Sequence, residues 1–213
     1  MKILVFGGGS DIAKVIKHDG YETILLSKQD CDVTSKTRVF RMVRDHEPDI
    51  VVNLAGVCNF QSLKDMSFGL LEDEINTNLF GAINIAYACI KHNVKKVIFI
   101  GSISSLFGKK NQIGYGATKR ALVSIVQTLS KEGLESYCIS PGAISTKLRD
   151  RLFPDEDKKR RMRPEEISSL INDCIDGKYK SGDNIIIHKF GYETYIRVNN
   201  DDPWNAYIIQ EDR

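Results

Sequence analysis

Six short apolar runs, each followed by a longer stretch, set what this chain can fold into. KILVF (2–6), ETILL (22–26), DIVVNLAG (49–56), KKVIFIG (95–101), SYCIS (136–140) and NIIIH (184–188) read as strands. Residues 10–18, 34–46, 70–92, 115–131 and 164–176 read as helices between them. Pro48 lies just beyond the second helix, and Pro164 sits in the first turn of the last. The strands are almost continuously apolar rather than alternating, as expected of a parallel sheet covered on both faces. Strand–helix alternation of this kind predicts a doubly wound α/β sheet. A length of 213 residues fits one such domain, over 1–190. Residues 191–213 break the rhythm and read as an irregular C-terminal tail with room for a short hairpin.

Charge and cysteine content narrow the function classes. Lys and Arg number 30 against 28 Asp and Glu, a net +2 that suggests neither nucleic acid nor membrane as partner. No apolar run approaches the roughly 18–20 residues of a membrane helix. The opening MKILVFGGGS is too short in its apolar part for a signal-peptide core. The five cysteines (31, 58, 89, 138, 174) form an odd, scattered set without a Cys-x-x-Cys pair. They read as buried free thiols of a cytoplasmic protein, not as metal ligands or disulfides.

Candidate site residues cluster where strands end. FGGGSDIAK (6–14) is a glycine-rich turn after the first strand, where backbone can approach a diphosphate at the start of a helix. Asp32 and Val33 follow the second strand, and Asn53, Ala55 and Gly56 close the third. Ligands of doubly wound sheets bind beyond the carboxyl ends of the strands, so these positions are candidates; an ordinary polar turn is the competing reading.

YGATK (115–119) places Tyr115 and Lys119 on one helical face, yet YACIK (87–91) has the same spacing. The two differ in what precedes them. Tyr115 follows a strand that ends in GSISS (101–105), so Ser102, Tyr115 and Lys119 can converge at one sheet edge. Tyr87 falls inside a long amphipathic stretch, where a tyrosine more often packs.

With these motifs in order, the chain resembles the short-chain dehydrogenase/reductase family over roughly residues 1–188. The family's Asn-Asn-Ala-Gly element is matched by NLAG (53–56), its catalytic Asn by Asn78 in NLFG, its Ser by Ser102, and its Tyr-x-x-x-Lys by Tyr115 and Lys119. Its Pro-Gly-x-Ile-x-Thr element is matched by PGAIST, with Pro141, Gly142, Ile144 and Thr146. The resemblance implies a Rossmann-type domain in which Gly7, Gly9, Ser10, Asp11 and Ile12 cradle a nicotinamide dinucleotide. The first turn departs from the family pattern: Asp11 and Ala13 stand at its second and third glycines. A carboxylate there repels a diphosphate unless it points away or caps a helix. The front half also resembles nucleotide-sugar reductases, without room for their separate substrate domain.

The resemblance further implies that Tyr115 exchanges a proton with a carbonyl or alcohol, its pKa brought down by Lys119. Lys119 would also bond the nicotinamide ribose, Ser102 would orient the substrate, and Asn78 would hold a water. Ser27 and Lys28 stand at the end of the second strand, and a cation there suits the 2′-phosphate of NADP; the nearby Asp30 keeps NAD open. The stretch 147–163 holds eight basic and four acidic residues, either a solvated face or an attractor for an anionic substrate. A non-catalytic nicotinamide sensor, or an interaction subunit of the same fold, is the alternative function. Surplus apolar positions on 70–92 and 115–131 suggest a homodimer or homotetramer, with Trp204 of the tail either anchoring to a neighbour or folding back.

Overall fold

A computed structural model describes residues 1–190 and 193–199. Its seven-stranded sheet has the order β2-β1-β3-β4-β5-β6-β7. The strands are β1 (Lys2–Phe6), β2 (Glu22–Leu26), β3 (Ile50–Asn53), β4 (Lys96–Ile100), β5 (Glu135–Pro141), β6 (Asn184–Phe190) and β7 (Glu193–Asn199). The first six are parallel, as the sequence predicts, and β7 returns antiparallel to β6. Residues 193–199 of the tail therefore form one arm of a hairpin whose other arm is β6; Trp204 lies outside the described residues.

Alternate strand residues feed two cores. Leu4, Phe6, Val51, Val97 and Phe99 face α1 (Lys36–His46), α3 (Gly81–Lys91) and α4 (Ile113–Lys131). Ile3, Val5, Ile50, Val52 and Ile98 face α6 (Pro164–Ile175) and the segment after β1. Two apolar faces per strand explain the continuous runs. The order reverses between β1 and β3, which opens a crevice at their carboxyl ends.

Two predicted helices differ from expectation. Residues 10–18 form only a 3-10 turn at Ala13–Val15. The Ser10 hydroxyl accepts from the Ala13 amide at 3.1 Å and caps the turn. Ile16, the second of two β-branched residues, then turns extended, and branching at Cβ costs rotamer freedom in a helix. Leu25 is left 40% exposed on that side. The predicted helix 70–92 is broken into α2 (Phe68–Glu74), a π-helical segment (Ile75–Phe80) and α3. Such insertions collect at functional sites, and this one carries Asn78.

Candidate active site

A cleft of about 600 Å³ lies beyond the carboxyl ends of β1, β3, β4, β5 and β6. Its floor is the turn after β1. Gly7 has φ +81°, and a Cβ there would overlap the backbone of Leu54 and Ala55, so glycine is required. Gly9 differs: a Cβ would meet nothing within 4 Å. Bare backbone thus faces the cleft at Gly9, and Ser10, Asp11 and Ile12 continue the lining. This cradle fits a dinucleotide diphosphate. The missing helix changes how the fit is made, because turn amides replace a helix N-terminus.

Tyr115, Lys119 and Ser102 meet on one wall of the cleft. Helix α4 brings in the first two and the end of β4 the third. Ser102 is buried, and its hydroxyl accepts from the Ser104 amide at 3.1 Å. Ser104 in turn donates to Gln112 at 2.9 Å, fixing the short turn between β4 and α4. The Lys119 ammonium donates to the Ile100 carbonyl at 2.7 Å and lies 5.7 Å from the Tyr115 ring centre. Burial lowers the Lys119 pKa to about 8. Burial also pushes the Tyr115 phenol above its ordinary range, with the Ser102 hydroxyl acting in the opposite direction. The expectation that Lys119 brings Tyr115 down is thus corrected: desolvation of the phenolate outweighs the other influences.

Asn78 is buried, and its amide is fully engaged. Its Oδ1 accepts from the Val57 amide at 2.8 Å, and its Nδ2 donates to the Val57 carbonyl at 2.8 Å and to Thr118 at 3.2 Å. The side chain clasps the loop after β3. Gly56 lies close beside it: a Cβ there would stand 3.2 Å from Asn78 Oδ1 and 3.4 Å from Lys119 Nζ.

The remaining predicted positions divide. Pro141, Gly142, Ile144 and Thr146 line the cleft. Asn53 closes a local turn by accepting from the Ala55 amide at 3.0 Å, and Ala55 packs against a core. Asp32 accepts from both the amide and hydroxyl of Thr34, and Val33 is buried against Gly81. Neither they nor Lys28 line the cleft itself. Sequence reasoning missed Cys58, Phe60, Phe153 and His188, all of which line the cleft. His188 was within reach, since it lies near the carboxyl end of β6.

A model of the short chain dehydrogenases matches residues 9–157, more than half of the chain. The chain belongs to the short-chain dehydrogenase/reductase family. Among curated members, a 3-oxoacyl-acyl-carrier-protein reductase of Mycobacterium bovis is 30% identical over 84% of this chain and 88% of its own length. A Mycobacterium avium reductase of the same description is 33% identical over 56% of this chain. An L-rhamnose-1-dehydrogenase of Scheffersomyces stipitis is 34% identical over 54%. The chain spans about half the length of these last two, 52% and 48%. A short-chain dehydrogenase solved with NADPH shares the fold at a TM-score of 0.78, with 17% identity over 88% of this chain and 96% of the other.

Within this family member the departure at Asp11 acquires a structural account. Asp11 points across the cleft and accepts from the Lys147 amide at 2.7 Å. Lys147 opens α5 (Lys147–Leu152), so the carboxylate caps that helix; the bond holds Asp11 below the usual carboxylate range. Residues 147–163 are also more ordered than either expected reading. Arg161, 2% exposed, bonds Asp150, Glu156 and the Phe153 carbonyl, and Arg149 pairs with Glu156. Much of the charge run neutralises itself around this buried guanidinium. Arg149 and Arg160 still line the cleft, as do Lys109, Lys147 and Lys189.

Proposed function

We propose that the chain is an NAD(P)-dependent oxidoreductase acting on a carbonyl or alcohol, with Tyr115 as general acid and base. The carrying observation is the convergence of Ser102, Tyr115 and Lys119 on one wall of a cleft whose floor is open glycine backbone. A bound nicotinamide would supply the hydride in reduction and accept it in oxidation. The protein's share is proton transfer and position. In reduction the neutral Tyr115 phenol gives its proton to the substrate oxygen, and its raised pKa keeps that proton in place. Ser102 orients the same oxygen. Lys119 is buried beside Tyr115, and a cation there favours the phenolate left after transfer.

NADP is the preferred cofactor in this reading. Asp30, the residue that kept NAD open, turns to Ser27, accepting from its amide at 2.8 Å and its hydroxyl at 2.6 Å. Lys28 is left as the exposed charge at the end of β2, with Asp32 at 3.9 Å. The substrate we infer is a sugar or an anionic carbonyl compound such as a nucleotide-sugar or a carrier-linked acyl group. The cations that line the cleft and the apolar Phe60 and Phe153 support that class. The protein is read as cytoplasmic; among the described residues no helix is long and apolar enough to cross a membrane.

A non-catalytic sensor would need the dinucleotide cradle but no proton donor beside a serine and a buried lysine. Loss of NADPH absorbance over a carbonyl panel tests the choice. Turnover that disappears in Tyr115→Phe is the expected result. NADPH binding without turnover of any carbonyl would favour the sensor.

A further inference from the structure

Glu74 is a buried carboxyl, 2% exposed, that the proton-transfer scheme above does not use. It ends α2, one helical turn before Asn78. Its Oε1 accepts from the Asn59 amide at 2.5 Å. Its Oε2 packs against Gly114 in the first turn of α4, where a Cβ would overlap it. Gly114 immediately precedes Tyr115, so one carboxyl touches both the loop after β3 and the helix that carries the proton donor. That contact is favourable to a carboxylate, because a helix N-terminus carries partial positive charge. Burial pushes the Glu74 pKa up, and ionised Glu74 in turn raises Cys58 and Tyr115, the two titratable groups that feel it.

The loop it holds is a cleft wall. Asn78 clasps the backbone of Val57, Glu74 takes the amide of Asn59, and the Asn59 side chain donates to the Leu70 carbonyl at 3.1 Å. With the backbone of Val57 and Asn59 pinned by these bonds, Val57, Cys58 and Phe60 line the cleft. Phe60 then meets Phe153 edge to face at 5.0 Å, joining this wall to the segment just after α5. The position of Phe60 therefore depends on the Glu74–Asn59 bond.

We infer that Glu74 is a positioning residue for substrate, fastening the 57–60 wall to the first turn of α4. This rests on the proposed oxidoreductase only in treating that wall as the substrate side. Three variants test it: Glu74→Leu, which deletes the acceptor; Glu74→Gln, which keeps an acceptor oxygen without charge; and Glu74→Asp, one methylene too short.

Iodoacetamide labelling of Cys58, located by mass spectrometry, needs neither substrate nor cofactor. Glu74→Leu should speed it about 10-fold, as losing a buried hydrogen bond to a charged group implies, with Cys89 of the core protected throughout. Glu74→Gln should restore protection. With a carbonyl substrate, Glu74→Leu should raise KM about 10-fold while kcat and the NADPH Kd stay within about 3-fold, and Glu74→Gln should recover most of that. If Glu74→Leu does not fold, Glu74→Asp takes its place, with a smaller rise in labelling expected. Unchanged Cys58 labelling in the folded variant overturns the inference, as does a Gln variant as impaired as the Leu variant. Absence of turnover with any carbonyl would count against the proposed activity alone, since the labelling result stands without it.

Discussion

The Lys119 ammonium is fastened to the Ile100 carbonyl at 2.7 Å, so the end of β4 positions both the cation and, two residues on, Ser102. Burial weakens the hold of Lys119 on its proton, from an ordinary 10.5 to about 8. Between those values the unfolded chain binds more protons than the folded one, so this residue makes stability rise with pH from about 8 to 10.5. Fully charged at pH 7, its burial costs on the order of 3 kcal/mol. Denaturant unfolding of wild type and Lys119→Met should show a gap that shifts in favour of wild type between pH 7 and pH 10. A gap independent of pH would mean that Lys119 titrates normally. Catalytic reduction should also fall as pH passes about 8, where the cation beside Tyr115 is lost.

Tyr115→Phe should lower kcat by roughly 10²–10⁴, the usual worth of a general acid, with NADPH affinity within about 2-fold. Tyr87→Phe should leave activity nearly unchanged. Tyr87 is 40% exposed on α3, beside Phe40 at 6.2 Å and under Lys36 at 4.7 Å. It packs at the surface against Phe40 and Lys36, as its place in a long amphipathic stretch suggests. Steady-state kinetics on the two variants settle which pentapeptide is the site; a dead Tyr87→Phe enzyme would reverse the assignment.

Lys28→Asp should weaken NADPH much more than NADH. The substitution replaces the exposed cation after β2 with a charge that repels a 2′-phosphate. Fluorescence titration with both nicotinamides reads the ratio. Equal losses would remove Lys28 from the account of cofactor choice.

Asp11 offers a separation of charge from capping. Asp11→Asn keeps an oxygen for the Lys147 amide but removes the charge beside the glycine turn, and should tighten NADPH a few-fold. Asp11→Ala removes the cap as well, which costs about 1 kcal/mol. Hydrogen exchange over 147–152 should then speed up in the Ala variant and not in the Asn variant. Exchange that is equally fast in both would show that the cap is not what orders α5.

Much of the fold was legible because a parallel strand buried on both faces must be largely apolar, and most of the six runs are. Ser102, Tyr115 and Lys119 were legible because strand ends and helix spacing fix them locally. What stayed hidden depends on contacts between distant segments. The failure of residues 10–18 to form a helix comes from a Ser10 cap and a β-branched pair, weak signals beside a glycine turn. The clasp of Asn78 on the backbone of Val57 joins segments that the sequence does not show to be neighbours. Glu74 looks like any helix acid until Gly114 and Asn59 are seen against it.

Assembly is tested through the outer face of α3. Of the apolar positions on 70–92 and 115–131, Ala82, Ala86, Leu122, Val126 and Leu129 are buried in the chain's own core. The exposed stripe is instead Phe80, Ile83, Tyr87 and Ile90, each at least 40% exposed and spaced three, four and three residues apart. That spacing puts them on one side of a helix. Ile113 and Ala117 are exposed on α4. Four large apolar side chains in a row suit burial against a second copy, since an apolar stripe left in water is a sticky patch. Light scattering at micromolar concentration should give at least twice the chain mass of 24.0 kDa. Ile83→Glu, which sets a charge in the middle of the stripe, should bring the mass down toward one chain without changing the fold. A wild-type mass of one chain would end the argument for this face.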